Sequence, residues 1–86
     1  MITSNRITIL MPDNAVYLDQ GSYQGLDLTD CGVPTDIRAL DWIDNKGELH
    51  HYDSSIQHIK VTELPDWAIK CVAKWEEQDA LENGLQ

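Results

Sequence analysis

The residues with chemical potential gather in one short stretch. His50, His51 and His58 stand beside Asp53, Ser54 and Ser55, while Cys31 lies apart in a Thr29-Asp30-Cys31-Gly32 loop. A metal centre needs imidazole, thiolate or carboxylate ligands that converge on one point. Neighbouring residues on a strand point to opposite faces, so His50 and His51 cannot both reach one ion from regular β structure. No CxxC, HxxxH or HExxH spacing occurs. Metal and cofactor are therefore both read as none. Nucleophilic catalysis needs a nucleophile, a base and an orienting group around a pocket. Ser54, Ser55, His58 and Asp53 supply the types, but side by side in one polar connection. A chain of 86 residues has little core in which to enclose a deep pocket. The five glycines are scattered at turns and make no phosphate loop. No catalytic residue is assigned, and the chain is read as a binding protein and not an enzyme.

Charge narrows the partner. Fifteen acidic residues face six basic ones, a formal net charge of -9. That charge repels DNA, RNA and anionic membrane, and suits solubility, a basic protein partner or mimicry of nucleic acid. Asp27, Asp30, Asp36, Asp41 and Asp44 would form a negative band if they shared a face; ordinary solvated acid is the plainer reading. Of the three tryptophans, Trp67 and Trp75 stand two turns apart on one helical stripe and are read first as core, while Trp42 suits core or interface anchor. The partner-binding candidates are Trp42, Arg38, Asp41, Asp44, Glu48 and Asp36.

These residues need elements to hold them. An apolar content of 42% with three tryptophans excludes a disordered acidic tail, and the length fits a single domain over 1–86. Positions 6–11 alternate, with Ile7, Ile9 and Met11 on one face, and predict a strand. Pro12-Asp13-Asn14 predicts a turn, and 15–19 a second strand of the same hairpin. A short third strand is expected over 23–28. Over 37–43 the two faces are Ile37, Ala39, Ile43 and Leu40, Trp42, which predicts a central strand covered on both sides. A helix over 35–44 competes, but Asp44-Asn45-Lys46-Gly47 is hairpin chemistry and favours the strand. Its partner follows over 48–52, and 56–61 adds a strand with Ile59 and Val61 inward.

The period changes in the tail. Leu64, Trp67, Ala68, Cys71, Val72 and Trp75 recur at three- and four-residue steps, one stripe of a helix over about 63–82. Thr62 is placed to cap it, Pro65 fits a first turn, and Asn83-Gly84 stops it. Glu76, Glu77, Asp79 and Glu82 crowd its negative end. The fold class expected is α+β: a β-rich part over 6–61 forming a small antiparallel sheet of four to five strands, covered on one face by the C-terminal amphipathic helix. The N-terminus lacks a signal-like segment and no stretch approaches a membrane span, which predicts a soluble protein of a reducing cytoplasm with Cys31 and Cys71 as free thiols.

The order of residues resembles a family of small proteins from tailed phages and prophages, encoded near tail-fibre and other late tail genes. Val33-Pro34-Thr35-Asp36-Ile37-Arg38-Ala39-Leu40-Asp41-Trp42 and then Gly47-Glu48-Leu49-His50 carry the resemblance. Val16-Tyr17-Leu18-Asp19, Leu26-Asp27-Leu28, Leu64-Pro65-Asp66-Trp67 and Trp75 extend it. Arg38 and Asp41 stand where the family's pattern has His and Gln. The resemblance implies a tail-fibre assembly chaperone or minor tail component of the bacterial host cytoplasm, with carriage on the virion left open. Its partner would be a tail-fibre protein bound through a sheet edge or the Trp42 face, with self-pairing as a homodimer also open. The second reading of a small acidic domain is a phage inhibitor of a host protein, of anti-defence or anti-CRISPR type, its acidic surface meeting a basic site.

Overall fold

Alternation builds the first strand. In β1 (Arg6–Leu10) Ile7 and Ile9 are fully buried, while Arg6, Thr8 and Leu10 point to the other side. These positions come from a computed structural model that describes residues 5–44, 46–60 and 64–83. Pro12 sits in a 3-10 turn over Met11–Asp13, where a missing N–H costs little. Asn14 closes the turn at φ 48°, donating its N–H to the Met11 carbonyl at 3.1 Å. The chain returns as β2 (Ala15–Leu18) and turns again into β3 (Gly21–Tyr23). The third strand thus lies earlier than the expected 23–28. Gly25 and Leu26 give their N–H groups to Asp13 and Asn14 carbonyls instead of to a sheet ladder.

The second half is a meander of β4 (Ile37–Ile43), β5 (Lys46–His51) and β6 (Ile56–Lys60). All pairings are antiparallel, and the six strands run in the order β3-β2-β1-β4-β5-β6. The four to five strands expected are thus corrected to six. β3 has three residues and β6 one buried residue, Ile59, so neither leaves a firm period in the sequence. Val61, like Asn45, Thr62, Glu63 and Gly84, lies outside the described residues.

β4 is central, as expected, but only one of its faces is covered. Leu40, Trp42 and Ile37 join the core, while on the other face only the small Ala39 is buried and Ile43 is 45% exposed. The reason is a β-bulge: Ile37 pairs with His51 but Ala39 already pairs with His50, leaving Arg38 as the extra residue. One added residue reverses the parity of the pleat, so Ile37 keeps company with even-numbered Leu40 and Trp42.

The apolar stripe becomes α1 (Asp66–Asn83), about 27 Å long. Pro65 stands just before it, its carbonyl accepting from Ala68 and Ile69 N–H at 3.0 and 3.3 Å. Ala68, Cys71, Val72 and Trp75 are buried, with Leu64 and Trp67 packed at the rim of the core. α1 lies over β1, β2, β3 and the 3-10 turn Thr29–Cys31. Leu26, Leu28 and Cys31 of the connection between β3 and β4 fill the same layer. Trp75 Nε1 donates to the Gly21 carbonyl at 3.2 Å, and its ring meets Tyr23 edge-on at 5.4 Å. The acids at the negative helix end are partly compensated: Asp79 Oδ1 accepts from Tyr23 Oη–H at 2.7 Å and from Asn83 Nδ2 at 2.9 Å. That bond and burial hold the Tyr23 hydroxyl above its usual range. Among the described residues no helix is long and apolar enough to cross a membrane.

Candidate functional site

The helix and the connection cover one face of the sheet, and the opposite face stays open. Register places its side chains in rows that cross the strands. The middle row runs Ser22, Tyr17, Thr8, Asp41, Glu48, His58. Beside it lie Arg6, Ile43, Lys46, Lys60 on one side and Leu10, Ala39, His50, Ile56 on the other. Directly opposed side chains on one face interact, each pair contributing about 0.2–1 kcal/mol.

The middle row is tied together by polar contacts. Thr8 Oγ1 donates to Asp41 Oδ1 at 3.1 Å, joining the β1–β2 hairpin to the meander. Arg6 Nε donates to Thr8 Oγ1 at 3.4 Å. Glu48 sits between two imidazoles: Oε1 lies 3.2 Å from His50 Nε2, and Oε2 lies 3.9 Å from His58 Nδ1. Around this polar strip Ile43 and Ile56 are 45% and 49% exposed, with Leu10 and Tyr17 half-buried. One shallow depression is lined by Asp41, Ile43, Lys46, Gly47, Glu48 and His58. Another is lined by Thr8, Leu10, Arg38, Ala39, Asp41 and His50. The outer face of the strands thus carries an exposed isoleucine on either side of a strip of hydrogen-bonding and ionisable groups, a mixture of apolar and polar surface.

Of the six candidate residues, the structure brings Arg38, Asp41 and Glu48 onto this face. Asp36 and Asp44 flank β4 at opposite ends, about 26 Å apart along an extended chain. Asp36 Oδ2 lies 2.9 Å from His51 Nδ1, and Asp44 N–H donates to the Asn5 carbonyl. Trp42 is a correction. It is 5% exposed, on the covered side, where its indole edge and the Ile59 side chain both crowd the space over Gly47. It therefore offers no face to a partner. Its Nε1 is buried without a hydrogen-bond partner, a cost of about 1–3 kcal/mol that the ring's packing must exceed.

The other chemical clusters resolve locally. Asp53 Oδ1 accepts from Ser55 N–H at 2.9 Å and from Ser55 Oγ–H at 2.6 Å, closing the β5–β6 turn, where Ser54 has φ 74°. Those bonds hold Asp53 below the usual carboxylate range. Asp27 likewise accepts from Thr29 and is held low by it; Asp27 and Asp30 belong to the connection and Asp41 to β4, so these acids do not share one face. His50 and His51 point to opposite faces, and among the described residues no three His, Cys, Asp or Glu side chains are arranged to hold a metal. Sequence reasoning missed Thr8, Ile43, His50, Ile56 and His58 as members of one face. The two-residue spacing of Glu48 and His50 was a usable signal; the pairing of Thr8 with Asp41 left none. No protein-family model, curated protein or solved structure matches the chain.

Proposed function

We propose that this is a non-catalytic binding domain whose open sheet face docks another protein. Its partner is a tail-fibre protein of a tailed phage, which it serves as an assembly chaperone or tail accessory within the bacterial host. The observation that carries the docking face is its composition: exposed Ile43 and Ile56 flank the Thr8–Asp41 and His50–Glu48–His58 contacts on the uncovered side of the sheet. The tail-fibre partner rests on the resemblance of the 33–50 and 64–75 segments to small phage tail-region proteins. The test is titration of a purified fibre segment with Ile43→Ser/Ile56→Ser against a control, Ile69→Ser/Leu81→Ser. The control pair is as exposed but lies on α1. Losing two apolar contacts from a docking centre should weaken binding about tenfold or more, with the control unchanged. Loss in the control and none in the open-face variant would refute the assignment.

A second reading, an inhibitor of a host protein, is favoured by one observation. On α1, Asp66, Glu76, Glu77, Asp79 and Glu82 outnumber Lys70 and Lys74, so the helix side is the acidic side. Binding of a basic host protein through that side would fall steeply with salt and would be lost in a Glu76→Lys/Glu77→Lys variant.

A further inference from the structure

The connection between β3 and β4 packs on the helix α1, and each brings one buried cysteine into the same layer. Cys31 ends the 3-10 turn Thr29–Cys31, and Cys71 lies mid-way along α1 on its buried stripe. They are 2% and 0% exposed and belong to one apolar cluster. Both are free thiols, the turn that carries Cys31 packs directly on α1, and Cys31 is close enough to act electrostatically on the Cys71 thiol. Burial first, and then Cys31, push the Cys71 thiol well above the ordinary range, which makes the reduced pair slow to react while the fold is closed.

We propose that Cys31 and Cys71 form a reversible redox clamp: an intramolecular disulfide that fastens the 24–36 connection to α1 under oxidising conditions and opens under reducing ones. A low-molecular-weight disulfide such as oxidised glutathione is the oxidant. During a local opening the Cys31 thiolate attacks one of its sulfurs, and one glutathione leaves as thiolate and takes up a proton. The Cys71 thiolate then attacks the Cys31 sulfur of the mixed disulfide and expels the second glutathione. Two protein thiols lose two electrons and two protons, and one glutathione disulfide becomes two glutathiones. The bulky mixed disulfide has no room between the turn and the helix, so closure of the fold drives the second step.

The full chain is incubated in glutathione buffers of graded potential, from the reduced and from the oxidised side, until both directions agree, then quenched in acid and mapped by mass spectrometry. The expected species is a Cys31–Cys71 peptide lighter by two hydrogens, absent from both Cys31→Ser and Cys71→Ala. The bridge closes a long loop, so the oxidised chain should show an unfolding equilibrium constant roughly several hundred-fold smaller than the reduced chain in urea. A chain that ends as free thiols or as glutathione adducts at every potential overturns the clamp. So does an oxidised chain no more stable than the reduced one.

Discussion

Adding a single methyl group at Gly47 tests where the Trp42 indole lies. Gly47 is in β5 opposite Trp42 and Ile59, and its backbone is in a region open to any residue. A Cβ there would stand 2.8 Å from Trp42 Cδ1, 3.1 Å from Ile59 Cγ1 and 3.2 Å from the Asp41 carbonyl oxygen. Carbon pairs sit at about 3.5–4.0 Å, so the ring edge must move, and it is packed in the core. Overpacking costs about 1–3 kcal/mol. The lower entropy of the unfolded alanine chain offsets about 0.4–1 kcal/mol of that. Gly47→Ala should therefore destabilise by about 0.5–2 kcal/mol, a visible fraction of the roughly 4–13 kcal/mol expected for a chain this size. In a Trp42→Leu background the obstacle is gone, and the same alanine should be neutral or stabilising. The coupling from the four-member cycle should be about 1–3 kcal/mol in favour of the double variant. Urea unfolding followed by far-ultraviolet circular dichroism reads it without relying on tryptophan fluorescence, with sulfate added if Trp42→Leu is too weak to fold alone. An alanine that costs nothing in the native background, or the same in both, would place the indole elsewhere and reopen Trp42 as a surface anchor.

Two further perturbations probe the helix layer. Trp75→Phe removes the Nε1–H bond to Gly21 and trims the edge contact with Tyr23; it should cost about 1–3 kcal/mol in the same urea assay, and an unchanged midpoint would mean that α1 is not held there. Stability should also fall in alkali. The Tyr23 hydroxyl is raised by its bond to Asp79, and the Cys71 thiol by burial, so the fold favours both protonated forms. Their contributions are complete below the unfolded values of 10.0 and 9.0 and are lost as pH rises beyond them. Melting temperature should drop from about pH 9 upward, less steeply above pH 10 in Tyr23→Phe, and a flat profile would contradict both assignments.

The helix was legible because six apolar residues repeat at its period, and burial follows that repeat from Ala68 to Trp75. The β1–β2 hairpin was legible for the same reason at period two, with Pro12 and Asn14 marking the turn. The bulge at Arg38 was not legible. A run of large apolar residues on both parities reads as a doubly covered strand, and only the register with β5 shows that parity switches at one residue. Trp42 was misplaced for a related reason: an aromatic on a strand suits core and interface alike, and the deciding fact is the space above Gly47, which pairing creates. The thiol pair was equally hidden, since the separation of Cys31 and Cys71 in sequence says nothing of a turn packed on a helix. Asp41 was singled out for its charge, but its neighbours Thr8 and Glu48 come from other strands, and its role is set by them.

The open face depends on the covered one. Its middle row joins Thr8 from the N-terminal hairpin to Asp41 from the meander, so it exists only where β1 and β4 pair. That pairing requires the chain to leave the β3 edge, cross the sheet through residues 24–36 and re-enter beside β1. The local turns of the crossing, at Asp27–Thr29 and Thr29–Cys31, do not by themselves bring β4 beside β1. Its closure entropy is offset by Leu26, Leu28 and Cys31 entering the core beneath α1, which itself docks on β1, β2 and β3. The connection, the helix and the β1–β4 ladder therefore support one another as one set of non-local contacts. A perturbation that loosens α1 or the 3-10 turn weakens the Thr8–Asp41 junction without touching it. For the same reason, the proposed Cys31–Cys71 clamp would bear on the proposed docking face on the far side of the sheet through the integrity of the β1–β4 pairing.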